Sequence, residues 1–341
     1  MKLARLAVPA NARVAIICRT WVRRAVLAGI AMLVAVAAGA AHAQDPWPAR
    51  PVKLIVPSSP GGGTDVFARL LAQSLTDATK QSFIVENRPG ASGNIGAQAA
   101  AAATPDGYTF LITANASIAI NQFLVKNPSL DVEHDLIPVA RGVMAVSVLV
   151  VSPSLSTKDL AAFVTLAKTQ PDALTFGSAG TGTSPYLGVR MMEEVAGVKF
   201  VHIPYKGLGP AYQDLLAGRL QFIYADLASA LSFIESGKII ALAVDRKTKL
   251  LPNVPTFAEA GWPRFDSPIS FSVLAPARVP PAIVQRMAAA VNKALKTMEP
   301  RLEQQALVPV FDTPAEFGAD LRKERAMWAA FIQRNGITMD Q

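Results

Sequence analysis

From Val52 onward, short β-branched runs alternate with longer amphipathic ones. Val52–Val56 is a continuous apolar run of strand length, and Val66–Thr79 repeats its apolar positions at helical spacing. Ser82–Glu86, an alanine-rich Ile95–Ala103 and Tyr108–Thr113 continue the alternation, which predicts an α/β unit with a parallel sheet. Ser147–Val151 carries the chain into a second unit. There Leu160–Lys168, Ala173–Gly177, Tyr186–Val195, Phe200–Ile203, Tyr212–Leu216, Leu220–Tyr224 and Ile239–Val244 repeat the pattern. After the proline-rich Leu250–Pro263, Phe271–Ala275 reads as a returning strand. Helices are predicted at Pro281–Lys296, Pro300–Gln305 and Pro314–Asn335, packing back on the first unit.

A chain of 341 residues exceeds what one hydrophobic core serves, so two domains are expected. No low-complexity linker separates them, and two crossings, near Met144–Val151 and Ser267–Val273, would make a hinge rather than a tether. The expected division is a first lobe from 44–147 plus 270–341 and a second lobe from 148–269, each a sheet flanked by helices, preceded by a leader at 1–43.

The leader changes the charge picture. Lys2, Arg5, Arg13, Arg19, Arg23 and Arg24 come without an acid, Ala25–Ala41 is apolar, and Ala41-His42-Ala43 places small residues where signal peptidase reads. Cleavage is expected after Ala43. An uncleaved anchor is the rival, weakened because the apolar run is short for a spanning helix. The long basic region admits a translation start near Val22, and Arg23-Arg24 is a weak twin-arginine signal, so the export route stays open. Of 33 basic residues, 27 then face 25 acids, and the mature net charge is +2 rather than +8. No nucleic-acid footprint remains.

The single cysteine, Cys18, lies within the leader, which excludes disulfides and thiol catalysis from the mature chain. Only His134 and His202 remain beyond it, neither at metal-ligand spacing, so no metal or cofactor is expected.

Two polar glycine loops carry the candidate chemistry. Pro57-Ser58-Ser59-Pro60-Gly61-Gly62-Gly63-Thr64-Asp65 joins the first strand to the first helix. Glycines let a backbone approach a ligand, and the unpaired N–H groups of a helix start favour an anion. No Lys-Ser/Thr pair closes the run, so nucleotide chemistry is not indicated. A plain turn with Thr64 as N-cap accounts for the same residues. Asp65 beside an anion cradle is expected to turn toward its own helix's N–H groups. The second loop, Gly177–Pro185, has Ser184 as expected N-cap and Pro185 as first helical residue. Its Gly180-x-Gly182 pair falls short of a dinucleotide fingerprint, leaving an anion site or a capped turn.

Several segments resemble the Bug family, the periplasmic solute receptors of tripartite tricarboxylate transporters. They are Trp47-Pro48-x-Arg50-Pro51-Val52-x-Leu54-Ile55-Val56-Pro57, Pro60–Asp65, Val85–Gly90, Gly93–Gly96, Pro105–Tyr108, Pro204–Gly207 and Val254-Pro255-Thr256, collinear from about Trp47 to the end. The resemblance implies a two-lobed, type II Venus-flytrap fold that holds a small carboxylate in its cleft, works as a monomer and delivers its ligand to membrane permease subunits. Carried over, the site comprises Ser58, Ser59, Gly61 and Gly62 from the first loop, and Thr113, Asn115 and Ser117 from the loop after the third strand. Ser178, Gly180, Thr181, Gly182, Thr183 and Ser184 approach from the other lobe, with Tyr205 and Asp226 at the floor. Ser58 and Ser59 replace bulkier family residues. Asp226, where the family varies between Asp and Asn, would favour an amine or hydroxyl on the ligand if it faces the cleft, and is otherwise a capping acid. Arg88 is expected to organise its turn, and Lys206 stays open.

An enzyme is the rival class, but the chain has no Gly-x-Ser-x-Gly elbow, no Ser-x-x-Lys and no His-Glu-x-x-His. A sensor acting on a signalling partner would use the same closure as a transport receptor.

Overall fold

The computed structural model describes residues 47–124 and 130–338. The expected leader lies outside the described residues. Every element below belongs to the unit Arg50–Gln341. No helix among the described residues is long and apolar enough to cross a membrane.

In chain order the first half runs β1 (Val52–Val56), α1 (Gly63–Thr79), β2 (Phe83–Asn87), α2 (Asn94–Ala101), β3 (Thr109–Ala114), α3 (Asn115–Leu124), α4 (Val132–Asp135) and β4 (Leu136–Ala145). Then follow β5 (Ser147–Val151), α5 (Leu160–Thr169), β6 (Thr175–Ser178), α6 (Ser184–Ala196), β7 (Val201–Pro204), α7 (Leu208–Leu216), β8 (Phe222–Asp226), α8 (Leu227–Glu235) and β9 (Ile240–Val244). The chain closes with β10 (Ile269–Pro276), α9 (Pro281–Glu303), β11 (Leu307–Val310) and α10 (Pro314–Asn335).

The strands form a six-stranded sheet, β11-β4-β10-β3-β1-β2, and a five-stranded sheet, β7-β6-β8-β5-β9. Neither is wholly parallel, contrary to the alternation-based expectation. β1 pairs parallel with β2 and β3, whereas β10 lies antiparallel between β3 and β4. The cause is the crossing. β4 leaves the first sheet through Val146 and β10 returns beside it, from Ile269 opposite Ala145 to Pro276 opposite Leu136, so the outgoing and returning strands run in opposite directions. In the second sheet β5 enters antiparallel to β8 and β9, while β6 keeps the parallel order with β7 and β8.

Helix periodicity places the cores. α1 buries Phe67, Leu71 and Leu75 at four-residue spacing, and α9 buries Val284, Met287, Val291, Leu295 and Met298 on one face. α9 packs on α1 and β4, and α10 on α3 and β4, so the C-terminal helices cover the first sheet. The second sheet has its own core of Val148, Val150, Ala211, Leu215, Ile223 and Ala225.

Sequence reading splits α9 at Pro300, but the helix continues through it to Glu303. Pro300 is exposed and near the end, so the carbonyl it cannot serve meets water. β4, α3, α8 and β11 were not anticipated; Pro138, Arg141 and Gly142 interrupt the pattern of β4.

Candidate functional site

The C-terminal ends of β1, β3, β6 and β8 point at one another across the two sheets, and between them lies a cavity of about 60 Å³. Open α/β sheets bind ligands at these strand ends. From the first sheet the wall comprises Pro57, Ser58, Gly62–Thr64, Ser92, Gly93, Thr113, Ala114 and Ser117. From the second it comprises Ala179, Thr183–Pro185, Leu208 and Asp226, and Ile269 and Phe271 of β10 supply apolar surface.

Local sequence explains why donors gather here. α5 and α10 are capped by their own side chains, Asp159 and Thr313. α1, α2, α6 and α7 have no side-chain cap, and their first residues Gly62–Thr64, Gly93, Thr183–Pro185 and Leu208 line the cavity. Helix starts left open in this way present N–H groups and positive dipole ends to the space between them. The N-caps are Gly62 and Thr183, each ahead of the expected Thr64 and Ser184. The hydroxyls of Ser58 and Ser184 are buried with no hydrogen-bond partner, one from each lobe, and Ser184 is only 2% exposed. Buried polar atoms are normally paired, and these two hydroxyls are free to donate to a group in the cavity.

Ser58, Gly62, Thr113, Ser117, Thr183, Ser184 and Asp226 of the expected set therefore share one cavity. The others lie elsewhere. Ser59 sends both its N–H (3.2 Å) and its hydroxyl (3.1 Å) to the Lys206 carbonyl of the facing lobe. With Gly180, Thr181 and Tyr205 it lines an outer groove. The Gly61 N–H donates to Asp65 Oδ2 at 3.2 Å, so neither Ser59 nor Gly61 offers its N–H to the cavity. Asn115 turns away, donating to Glu324 Oε2 at 3.2 Å and accepting from Ser272. Ser178 shares a 2.7 Å hydrogen bond with His202 Nε2 and accepts the Gly180 N–H at 3.0 Å, fixing the loop from behind. Gly182 continues that loop at φ +82°. The Tyr205 hydroxyl donates to Asp214 at 2.5 Å, so it does not form the floor.

Asp65 does not cap its helix. It accepts from Arg69 (3.0 Å), Asn87 (3.0 Å) and Gly61, and although burial works to raise it, these bonds hold its carboxyl below the usual range. Arg88 pairs with Glu86, in keeping with a turn-organising role. The Lys206 side chain is exposed beside the outer groove, and only its carbonyl meets the other lobe.

Asp226 both lines the cavity and caps α8, accepting the Ser229 N–H at 2.9 Å. It is 3% exposed, and burial pushes its carboxyl up against the hydrogen bonds from Ser229 and the Gly63 N–H. A Cβ on Gly63 would lie 2.1 Å from Asp226 Oδ1, so only glycine lets the two lobes meet at this point. Gly180, at φ +120°, would bring a Cβ within 2.5 Å of the Ser92 hydroxyl across the same cleft.

Sequence reading missed Thr64, Ser92, Leu208, Ile269 and Phe271. Thr64 stood in the recognised loop, but Ile269 and Phe271 carry no polar signal and arrive only through the returning strand. His202 supports the site unseen. Burial, with the Arg190 charge, pulls its pKa down to about 4, and a neutral ring braces Ser178.

Two α/β lobes facing a shared cavity lined by open helix starts, hydroxyls and the Asp226 carboxyl have the architecture of a periplasmic solute-binding protein. Residues 67–333 match the family described as tripartite tricarboxylate transporter family receptor. The chain belongs to that family of solute receptors, as the Bug resemblance implied, and is not an enzyme. BugT of Bordetella pertussis is 36% identical over 92% of this chain and 98% of its own. A solved R. palustris protein with adipate has 32% identity and a TM-score of 0.83 over 86% of this chain and 99% of its own. MatC of Rhodopseudomonas palustris with bound malate gives 26% identity and a TM-score of 0.78 over 83% and 99%.

Proposed function

We propose that this chain is an exported receptor that binds a small carboxylate in the Ser58–Ser184 cavity and delivers it to the permease subunits of a tripartite tricarboxylate transporter. The observation that carries the reading is the pair of unpartnered hydroxyls, Ser58 and Ser184, facing one cavity from opposite lobes among four uncapped helix starts. A carboxylate needs several donors at once, and neutral preorganised N–H and O–H groups supply them without a buried cation.

In this reading the mature chain begins at Gln44, is periplasmic, works as a monomer, and swings lobe 44–147 plus 270–341 against lobe 148–269 about the two crossings. The adipate and malate complexes of relatives support the ligand class. The test is a thermal-shift and calorimetric screen of mono-, di- and tricarboxylates and amino acids, with small-angle scattering on any ligand found. A ligand at 100 times its dissociation constant adds about 2.7 kcal/mol, and the radius of gyration should shrink. No melting shift with any carboxylate, or an unchanged scattering profile at saturation, would count against the proposal.

A further inference from the structure

Among the described residues Asp226 is the only ionisable side chain in the cavity wall, and no lysine or arginine accompanies it. Its own protein partners are N–H groups and a serine at the start of α8, with no lysine or arginine among them, so the Asp226 carboxyl stands without a cationic partner beside the space the ligand enters. The other wall groups are of the opposite character: open N–H groups at α1 and α6 and the lone hydroxyls of Ser58 and Ser184. The cavity is therefore amphoteric, donor-rich on most sides with one carboxylate at the start of α8. At about 60 Å³ it holds roughly four to six water positions.

Resting on the receptor reading, we propose that the solute is a small zwitterionic amino acid, its carboxylate taken by the Ser58, Thr64 and Ser184 side and its ammonium seated on Asp226. A plain carboxylate would bring its negative charge against the Asp226 carboxyl in a space whose wall offers no cation, and a dicarboxylate would bring two. A zwitterion adds no net charge and supplies the counter-ion that Asp226 lacks. The size of the cavity favours side chains no larger than those of glycine, alanine or serine.

The experiment compares glycine, L-alanine and L-serine with acetate, propionate, lactate, succinate and adipate by calorimetric titration of the exported protein. The same panel is run on Asp226→Asn, which keeps an N-cap of equal quality for α8. The wild type should prefer alanine over propionate by about ten- to a hundredfold, the worth of a charge-assisted hydrogen bond. In Asp226→Asn that preference should collapse and succinate should gain. If propionate or adipate binds the wild type as tightly as alanine, the inference is wrong while the receptor reading stands, and the wild-type panel decides this whether or not the variant folds. An unchanged ranking in a folded Asp226→Asn likewise overturns it. If no compound of either series binds, the receptor reading falls with it.

Discussion

Replacing Gly63 by alanine separates lobe closure from fold stability, because the two respond in opposite directions. Gly63 opens α1 in the first lobe, and its missing Cβ is filled by the Asp226 carboxylate of the second, at 2.1 Å from Oδ1 and 2.3 Å from Cγ. A real Cβ contact needs more than 3 Å, so Asp226 must retreat by roughly an ångström or the lobes must stay ajar. Retreat forces Asp226 off its rotamer, at about 0.5–1.5 kcal/mol, and weakens its cap on Ser229, at about 0.5–2 kcal/mol. A closure penalty of about 1–3 kcal/mol follows, which is roughly 5- to 150-fold in ligand affinity. Open lobes escape the clash, and alanine is the better helix former by up to about 1 kcal/mol. Gly63→Ala should therefore melt no lower than the wild type without ligand, yet bind more weakly in calorimetry and show incomplete compaction in scattering. Wild-type affinity with full compaction would refute the account, as would a large fall in the ligand-free melting temperature.

Ser59→Ala deletes one of two donors to the Lys206 carbonyl, so affinity should drop by up to about tenfold with no change in ligand-free stability, read by titration and melting. Lys206→Met and Arg88→Met should titrate like the wild type, since the first contributes only its carbonyl across the cleft and the second pairs with Glu86; lost binding in either would mean a cation-centred site. Asn115→Ala takes a donor from the largely buried Glu324 carboxyl, while the Ser272 hydroxyl keeps the Arg141 carbonyl, and should cost about 1–3 kcal/mol in denaturant unfolding. His202 titrates near 4 in the folded protein against 6.5 unfolded, so its contribution is whole above pH 6.5 and is lost as pH falls toward 4, by about 3 kcal/mol. His202→Gln should flatten that part of the pH–melting profile, and an unchanged slope would show that the ring is not the titrating group.

What the sequence made legible was local. Glycine loops bounded by a strand and a helix, as at Ser58–Thr64 and Gly177–Ser184, mark the candidate loops by composition and leave open whether each is an anion cradle or a capped turn, and the cavity is lined by both. The rest depends on partners far along the chain. Ser59 is claimed by Lys206, Asn115 by Glu324, Ser178 by His202 and Tyr205 by Asp214, and nothing in the local pattern distinguishes these from residues left to a ligand. β4 escaped notice because Arg141, in mid-strand, is paired with Asp320 at 2.8 Å, a pairing that lets a charged residue sit where alternation forbids it. The mixed sheet follows from the path of the chain between lobes, which no run of residues encodes by itself.

Around the cavity the lobes meet where both donors of Ser59 reach one carbonyl and at the bare α-carbons of Gly63 and Gly180, while the side-chain pairs Lys249–Glu303 and Arg334–Glu194 join them farther out. None of these contacts uses the hydroxyl of Ser58 or Ser184. Substitution at Ser58 or Ser184 can redirect ligand preference while the shut outline stays the same, so duplicated copies of such a chain can diverge in cargo at little mechanical cost. Whatever recognises the shut form recognises a silhouette that does not depend on what is inside.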